Sequence, residues 1–178
     1  TDFLRTGTYD ARRTFYKTTS PSMDILISSN LERLLYHVSG SSEKVAGWMQ
    51  ELSATGKYTV DAETLAKIQQ SFAAGYADDA DGAAEIKVRF DGDHYLCDTH
   101  TAVAFRVAET RRTDAPMVVL STASPFKFPR DVLTALGVEA PASDFAAMAA
   151  LTAETGAEAP ASLRALDKLE VRFKTVLQ

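Results

Sequence analysis

Apolar residues recur at helical spacing in the first part of the chain, and the clearest example follows residue 30. The apolar positions there are Leu31, Leu34, Leu35 and Val38. Because they fall three or four residues apart, they predict a helix over 30–38 with one apolar face. Ser29 and Glu32 have the spacing of a capping box, in which each side chain accepts a backbone N–H at the start of a helix.

Two further helices and a short extended segment are predicted before residue 75. One helix begins at Ser42 and stops at Gly56, since glycine readily takes the left-handed conformation that ends helices. Residues 57–60 are predicted to be a β-prone connector. Asp61 is predicted to cap the next helix, whose buried apolar stripe ends at Phe72.

The middle of the chain mixes a strand-like period with helical signals. Residues 84–90 alternate apolar and charged side chains, and this period alone favours a half-buried strand. Asp98 is predicted to cap a largely buried helix over 99–108. Residues 117–122 form a β-branched run after a proline, which predicts an interior strand.

The last part of the chain is rich in alanine and carries further helix signals. Pro129 fits the first position of a helix that Gly137 closes. The stretch 140–162 is predicted to hold a small helix over 145–151, and residues 163–169 a final amphipathic turn or two. Helices mixed with one buried apolar strand indicate an α/β arrangement.

Composition and charge exclude several classes of function. The chain has 19 basic and 24 acidic residues and a net charge of −5, which does not indicate a nucleic-acid partner. The chain contains no run of about 18 apolar residues, so no membrane span is predicted. The histidines have no metal-ligand spacing, so no metal site is predicted.

Cys97 is the one cysteine. It excludes an internal disulfide, fits a reducing compartment and is expected to fill a small core position.

Three sequence blocks carry the candidate chemistry. The first is Thr-Thr-Ser-Pro-Ser-Met-Asp-Ile over 18–25, continued by Ser-Ser-Asn-Leu-Glu-Arg over 28–33. The second is Tyr-Leu-Cys-Asp-Thr-His-Thr-Ala-Val-Ala over 95–104, and the third is Val-Leu-Ser-Thr-Ala-Ser-Pro-Phe-Lys-Phe over 119–128. In this order the blocks resemble the signature sequences of threonine synthase, a family of pyridoxal-phosphate enzymes.

The resemblance covers about residues 1–137 and implies a fold. The fold class it implies is α/β, as the C-terminal part of a tryptophan-synthase-β-like (fold type II) enzyme with helices packed around a short, mostly parallel sheet. It also favours a helix over 84–90. Thr99 and Ser124 depart from the family pattern, which often has proline and histidine there, so no acid–base role is assigned to Ser124.

The same resemblance implies that residues 1–178 are the C-terminal portion of a longer enzyme. Within it we expect residues 1–25 to be loops that connect to an N-terminal half, 26–137 to be the α/β core, and 138–178 to be an Ala-rich helical tail. The family's Schiff-base lysine lies in the earlier half. No catalytic residue is therefore expected within this chain, which is expected to be inactive alone.

The implied activity is a pyridoxal 5'-phosphate-dependent carbon–oxygen lyase reaction that converts O-phospho-L-homoserine and water to L-threonine and phosphate. The implied location is the cytoplasm, and the expected partners are this substrate and the N-terminal half, with neither nucleic acid nor membrane. Two alternatives stay open. One is a phosphohomoserine lyase or dehydratase of the same fold, and the other is a non-catalytic binding or interaction module.

Ser121 and Thr122 are the candidate cofactor-binding residues. They follow the predicted strand, and α/β proteins bind ligands at the carboxyl ends of strands. The resemblance implies that one of these hydroxyls contacts the pyridine nitrogen, where a neutral group moderates the electron sink. Thr122 is the favoured one. The alternative is that both hydroxyls merely satisfy the local backbone.

Five further residues are candidates for substrate binding: Ser20, Ser22, Asn30, His100 and Lys127. The first three carry short polar groups that could line the pocket, or could simply form turns and caps. His100 could contact the substrate phosphate or carry a proton, or be a hydrogen-bonded core histidine. Lys127 could hold an anionic group or be a surface lysine, and it is rejected as the Schiff-base residue because no aspartate follows it.

Overall fold

Two clusters of buried apolar side chains divide the chain into two units, Thr1–Tyr76 and Ala77–Gln178. The structure, a computed structural model, describes residues 1–173 and residue 175. The final residues of the predicted Ala-rich tail, 174 and 176–178, lie outside the described residues. No helix of the described part has both the length and the apolar composition that a bilayer crossing requires.

The first unit consists of four helices and a two-stranded sheet. Its elements in chain order are α1 (Asp2–Thr6), β1 (Thr8–Asp10), α2 (Leu31–Ser39), α3 (Ser42–Thr55), β2 (Lys57–Thr59) and α4 (Ala62–Ser71). The strands are antiparallel, with Tyr9 opposite Tyr58. These two rings stack at 5.4 Å between centroids, and Tyr58 is buried together with Trp48 and Leu35. The aromatic pair therefore joins the sheet to the helices of this core.

The predicted helices of the first unit are confirmed, but two local predictions are wrong. Asp61 caps α4, where its carboxylate accepts the Thr64 N–H, and Gly56 ends α3 at a φ of 78°. The Ser29 capping box does not form. The helix begins after Asn30, whose side chain makes no capping hydrogen bond, and the Leu31 N–H donates to the Ser28 carbonyl in a backbone turn. Phe72 is half exposed, because the helix ends at the residue before it.

Residues 1–25 were predicted to be loop, and they contain two short elements. α1 and β1 precede residue 11, and the rest of this segment forms no helix or strand except a single turn over Pro21–Met23. β1 forms a strand because β2 lies beside it. Its central residue Tyr9 lies opposite Tyr58, which comes 49 residues later in the chain. A three-residue strand has too few positions to show a period, so no periodic pattern predicts it.

The second unit consists of helices in its described part. They are α5 (Asp79–Asp93), α6 (Thr99–Glu109), α7 (Pro129–Ala135), α8 (Asp144–Thr155) and α9 (Ala161–Arg164). Asp98 caps α6 as predicted, and Gly137 follows α7 at a φ of 83°. The core contains the fully buried Val132, Leu133 and Leu151 from α7 and α8. The small helix predicted over 145–151 is thus the centre of a longer one.

The ambiguous residues 84–90 are helical, as the family resemblance favoured. They lie within α5, which runs from Asp79 to Asp93. On this helix Arg89 donates to Glu85 and Asp93, one turn away on either side, and to Glu109 of α6. Its guanidinium also lies 4.7 Å from the centre of the Phe105 ring. Arg89, one of the charged positions of the apparent alternation, therefore joins two helices.

Residues 117–122, predicted to be an interior strand, form no strand in the structure. Val118 and Leu120 are 79% and 76% exposed, and the one sheet of the described residues is β1–β2, which is antiparallel. The α/β fold class is confirmed, but the mostly parallel sheet expected within it is absent from the described residues. The reason is that a β-branched run becomes a strand only beside another strand, and no described segment pairs with this one.

Candidate functional site

The start of α6 is the most polar part of either core. Asp98, Thr99, His100 and Thr101 are all at least nine-tenths buried, and Asp98 is fully buried. The Asp98 carboxylate accepts the backbone N–H groups of His100 and Thr101 at 3.0 and 3.2 Å. It also contacts Nδ1 of His100 at 2.9 Å and the Thr101 hydroxyl. The carboxylate is therefore saturated by its own helix, which is what allows an acidic side chain to be buried here.

Local sequence explains this arrangement. An aspartate at the cap of a helix directs its carboxylate to the N–H groups two and three residues later. In this chain those two residues also carry side chains that can donate, so one carboxylate receives both the backbone and the side-chain protons. The His100 ring also packs on the ring of Phe128, with 4.8 Å between ring centres. The imidazole is therefore held both by Asp98 and by this aromatic contact.

Ser121 lies beside this cluster, 20 residues away in the chain. Its hydroxyl oxygen is 3.3 Å from that of Thr101. The Thr101 hydroxyl donates both to the Asp98 carboxylate, in the stronger, charge-assisted bond, and to the Ser121 oxygen. Ser121 is therefore the acceptor of this contact.

Thr122 follows with a different environment. It is exposed, and its hydroxyl makes no hydrogen bond to any residue that the structure describes. An unprotonated pyridine nitrogen accepts a hydrogen bond, and Thr122 carries a hydroxyl proton that no described residue accepts. The Asp98 carboxylate of the neighbouring cluster is buried and saturated. The donor set at this point of the chain thus fits pyridoxal phosphate of the neutral-hydroxyl type.

Lys127 is the last residue of a single helical turn, Pro125–Lys127. It lies six residues after Ser121 in the chain. Its side chain is exposed while the neighbouring Phe126 is buried. The Ser124 hydroxyl accepts the Phe126 N–H at 3.3 Å and so caps this turn. Ser124 has a structural contact, in agreement with the absence of an assigned acid–base role, and Lys127 remains a candidate for an anionic group.

The three candidates of the first block lie in the first unit and are not brought into one cluster there. Ser20 is buried, and its carbonyl accepts the Met23 N–H in a turn. Ser22 and Asn30 are exposed. The carboxylate that organises this block is Asp24, which accepts both the backbone N–H and the hydroxyl of Thr18, at 2.7 and 2.8 Å. Turn formation accounts for what Ser20 does within this unit.

Sequence reasoning missed two residues of the cluster around Asp98. It assigned the aspartate to helix capping alone and gave Thr101 no role. The available signal was the pattern Asp-x-His-Thr over 98–101, because capping geometry places the side chains two and three residues after the cap within reach of its carboxylate. The described residues contain no group of three or more acidic, histidine and cysteine side chains that could hold a metal ion.

Cys97 precedes the cluster and is predicted to be chemically inert. Burial, aided by the neighbouring Asp98 charge, raises the pKa of the Cys97 thiol to about 12. At pH 8 the thiolate fraction should be on the order of a hundredfold to a thousandfold below that of a free cysteine. An aromatic disulfide reagent is expected to release no colorimetric product from the native chain within minutes, and one equivalent after guanidinium is added. Rapid labelling of the native chain would contradict this.

A comparison with protein families matches residues 101–178 to the model described as threonine synthase, C-terminal. Among individual proteins, threonine synthase of Pseudomonas aeruginosa is 37% identical over 143 residues, which are 79% of this chain and 30% of that protein. Threonine synthase-like 1 of Macaca fascicularis is 34% identical over 142 residues, which are 78% of this chain and 19% of that protein.

A comparison of structures also finds similarity to threonine synthase. A crystal structure of threonine synthase from Brucella melitensis, with pyridoxal phosphate bound, superposes with a TM-score of 0.78 and 38% identity. The superposition covers 95% of this chain and 33% of that one. The chain thus spans between about a fifth and a third of the length of the relatives it matches.

Proposed function

Because the chain corresponds to the C-terminal portion of threonine synthase in sequence and in fold, we propose that it serves as that portion of a pyridoxal-phosphate enzyme. The proposed reaction converts O-phospho-L-homoserine and water to L-threonine and phosphate. The observation that carries the proposal is the similarity to a threonine synthase with pyridoxal phosphate bound, which extends over 95% of this chain at 38% identity.

In this proposal the second unit supplies the group at the cofactor's ring nitrogen. When bound, pyridoxal phosphate supplies the electron sink that makes carbon–hydrogen and carbon–oxygen bonds of the substrate labile. Thr122 would donate its hydroxyl proton to the pyridine nitrogen, because that proton has no other acceptor among the described residues. A neutral donor leaves the nitrogen largely unprotonated. Ser121, directed to Thr101, would hold the segment that carries Thr122 against α6.

Substrate contacts are proposed for residues of both units. His100 and Lys127 are the candidates of the second unit, and Ser20, Ser22 and Asn30 those of the first. These assignments rest on the sequence blocks and on the local surroundings of each residue. The lysine that carries the cofactor is proposed to lie in the part of the relatives that this chain does not span.

The reaction is tested by product analysis with the full-length protein. Incubated with O-phosphohomoserine and pyridoxal phosphate, it is expected to release phosphate and form threonine in equal amounts. Release of phosphate with a keto acid would instead identify a lyase or dehydratase of the same fold. Failure to release phosphate from this substrate would reject the proposed reaction and favour a non-catalytic module.

The 178-residue chain alone is predicted to form no covalent complex with the cofactor. Treated with pyridoxal phosphate and borohydride, it should show no stoichiometric increase in intact mass, because the lysine that carries the cofactor is proposed to lie elsewhere. The full-length protein under the same conditions is the control and should gain one reduced adduct. A stoichiometric adduct that maps to Lys127 would contradict the assignment of this residue.

A further inference from the structure

The hydroxyl of Tyr9 joins β1 to the segment that leads into α2. It donates to the Leu26 carbonyl at 2.8 Å and accepts the Ser28 N–H, also at 2.8 Å. A tyrosine hydroxyl can donate one proton and accept another at the same time, so both bonds are compatible. One oxygen atom therefore fixes two backbone groups of a segment that lies outside any helix or strand.

The Tyr9 ring is itself held by the core of the first unit. It stacks on Tyr58 at 5.4 Å between ring centres, and it packs at 64° to the ring of Phe3, with 6.0 Å between centres. Both Tyr58 and Phe3 are buried. Because these contacts fix the ring, they also fix where its hydroxyl lies, and the hydroxyl in turn places the segment.

The turn that follows carries this fixed position to Asn30. The Ser28 carbonyl accepts the Leu31 N–H at 3.2 Å, so Asn30 lies inside a turn whose first residue is bonded to Tyr9. Asn30 is exposed and is the last residue before α2. Its side chain makes no capping hydrogen bond, so the start of the helix does not account for its amide.

We propose that Tyr9 is a positioning residue whose hydroxyl places Asn30 for contact with the substrate. The inference rests on the proposed function, in which Asn30 is a candidate substrate contact. Both hydroxyl bonds of Tyr9 go to backbone groups, so it acts through the segment and not on the substrate. Arg13 also bonds this region, at the Ile25 carbonyl, but its side chain is exposed and it does not contact the turn around Asn30.

Hydrogen exchange tests the contact in the unmodified 178-residue chain. The Ser28 amide is bonded to Tyr9, whereas the Ser29 N–H donates to no residue that the structure describes. We expect the protection factor of Ser28 to exceed that of Ser29 at least about tenfold, the effect of one hydrogen bond. Equal protection of the two amides would overturn the proposal, and this measurement requires no variant to fold.

Tyr9→Phe tests the consequence in the full-length protein. The substitution keeps the ring and its stacking and removes the hydroxyl together with both of its bonds. We expect the KM for O-phosphohomoserine to rise about fivefold, with kcat nearly unchanged, because a displaced contact weakens binding of substrate and transition state alike. If Tyr9 served stability alone, the melting temperature would fall and KM would stay the same.

Tyr58→Phe is the matched control. Tyr58 belongs to the same aromatic cluster, and its hydroxyl forms no hydrogen bond with the part of the chain that the structure describes. Its removal should change neither KM nor the protection of the Ser28 amide. An equal rise in KM in the two variants would assign the effect to the ring cluster and overturn the role of the Tyr9 hydroxyl.

A double-mutant cycle tests whether Asn30 is the residue that is positioned. Asn30→Ala should raise KM by itself, and Tyr9→Phe should raise it little further in that background, because the contact it supports is already lost. An unchanged KM in Asn30→Ala, or two effects that multiply independently, would reject Asn30 as the positioned group.

The two proposals fail in different ways. A full-length protein that forms no threonine rejects the proposed reaction and leaves the exchange result in place. An unprotected Ser28 amide rejects the role of Tyr9 and leaves the reaction in place.

Discussion

Replacement of Arg89 by alanine is expected to lower the free energy of unfolding of the second unit by about 3 kcal/mol. Glu85, on the preceding turn of α5, has only 8% of its side chain exposed and is paired with Arg89 at 2.6 Å. Removing the arginine leaves this carboxylate buried without its cation, and losing one partner of a buried pair typically costs about 3–5 kcal/mol. Arg89 keeps some exposure, 14% of its side chain, which favours the lower figure.

The pKa of Arg89 agrees with this view. Burial opposes the charged guanidinium, but its hydrogen bonds to Glu85, Glu109 and Asp93 outweigh that effect and raise the pKa above its usual value. The contact with Glu109 also joins α5 to α6, the helix that carries Asp98 and His100. The variant should therefore loosen the support of the candidate site as well as the core.

Arg106→Ala is the matched control for this prediction. Arg106 also joins α6 to α5, through Asp81 at 3.0 Å, but its side chain is 49% exposed. Exposed pairs contribute about 0–1 kcal/mol, so the control should be nearly silent. Urea denaturation followed by circular dichroism measures both variants, with the slope of the transition checked for constancy. Equal losses in the two variants would contradict the distinction made here.

Thr122→Val is expected to lower turnover of the full-length protein about ten- to hundredfold and to leave its melting temperature nearly unchanged. The substitution conserves volume and deletes the hydroxyl that we propose donates to the pyridine nitrogen. Loss of one hydrogen bond in a dry site corresponds to about 1–3 kcal/mol in the barrier. Stability should be retained because this hydroxyl bonds to no side chain or backbone group of the described residues.

Three controls accompany Thr122→Val. Ser121→Ala should lose less activity, because Ser121 accepts from Thr101 and Thr122 is the proposed donor to the pyridine nitrogen. Thr134→Val removes an exposed hydroxyl that bonds only to its own helix, at the Arg130 carbonyl, and should change neither property. Substitution of Ser124 should likewise be nearly silent in turnover. Steady-state phosphate release and melting temperature are measured for each variant. Wild-type turnover in Thr122→Val with a large loss in Ser121→Ala would move the assignment to Ser121.

Several features of this protein follow from the sequence alone, because they depend on a few neighbouring residues. Asp61 and Asp98 begin helices by accepting N–H groups two or three positions later. Gly56 and Gly137 end them, since their left-handed φ angles of 78° and 83° suit glycine. The three sequence blocks identified the family, which the comparisons in sequence and fold support.

Other features depend on residues that are distant in the chain, and only the tertiary structure decided them. The alternation over 84–90 has the period of a strand, yet these residues are helical because Arg89 and the apolar side chains of α5 pack on α6. Residues 117–122 have strand composition and form none, since a strand requires a partner for its backbone groups.

The same distinction applies to the candidate site. The sequence named Ser121, Thr122 and His100 as separate candidates, and capping geometry placed only His100 near Asp98. The contact between Ser121 and Thr101 spans 20 residues and depends on the tertiary fold of the second unit. Hydrogen bonds within one turn are fixed by local geometry, whereas a bond across such a distance exists only once the core has brought its two ends together.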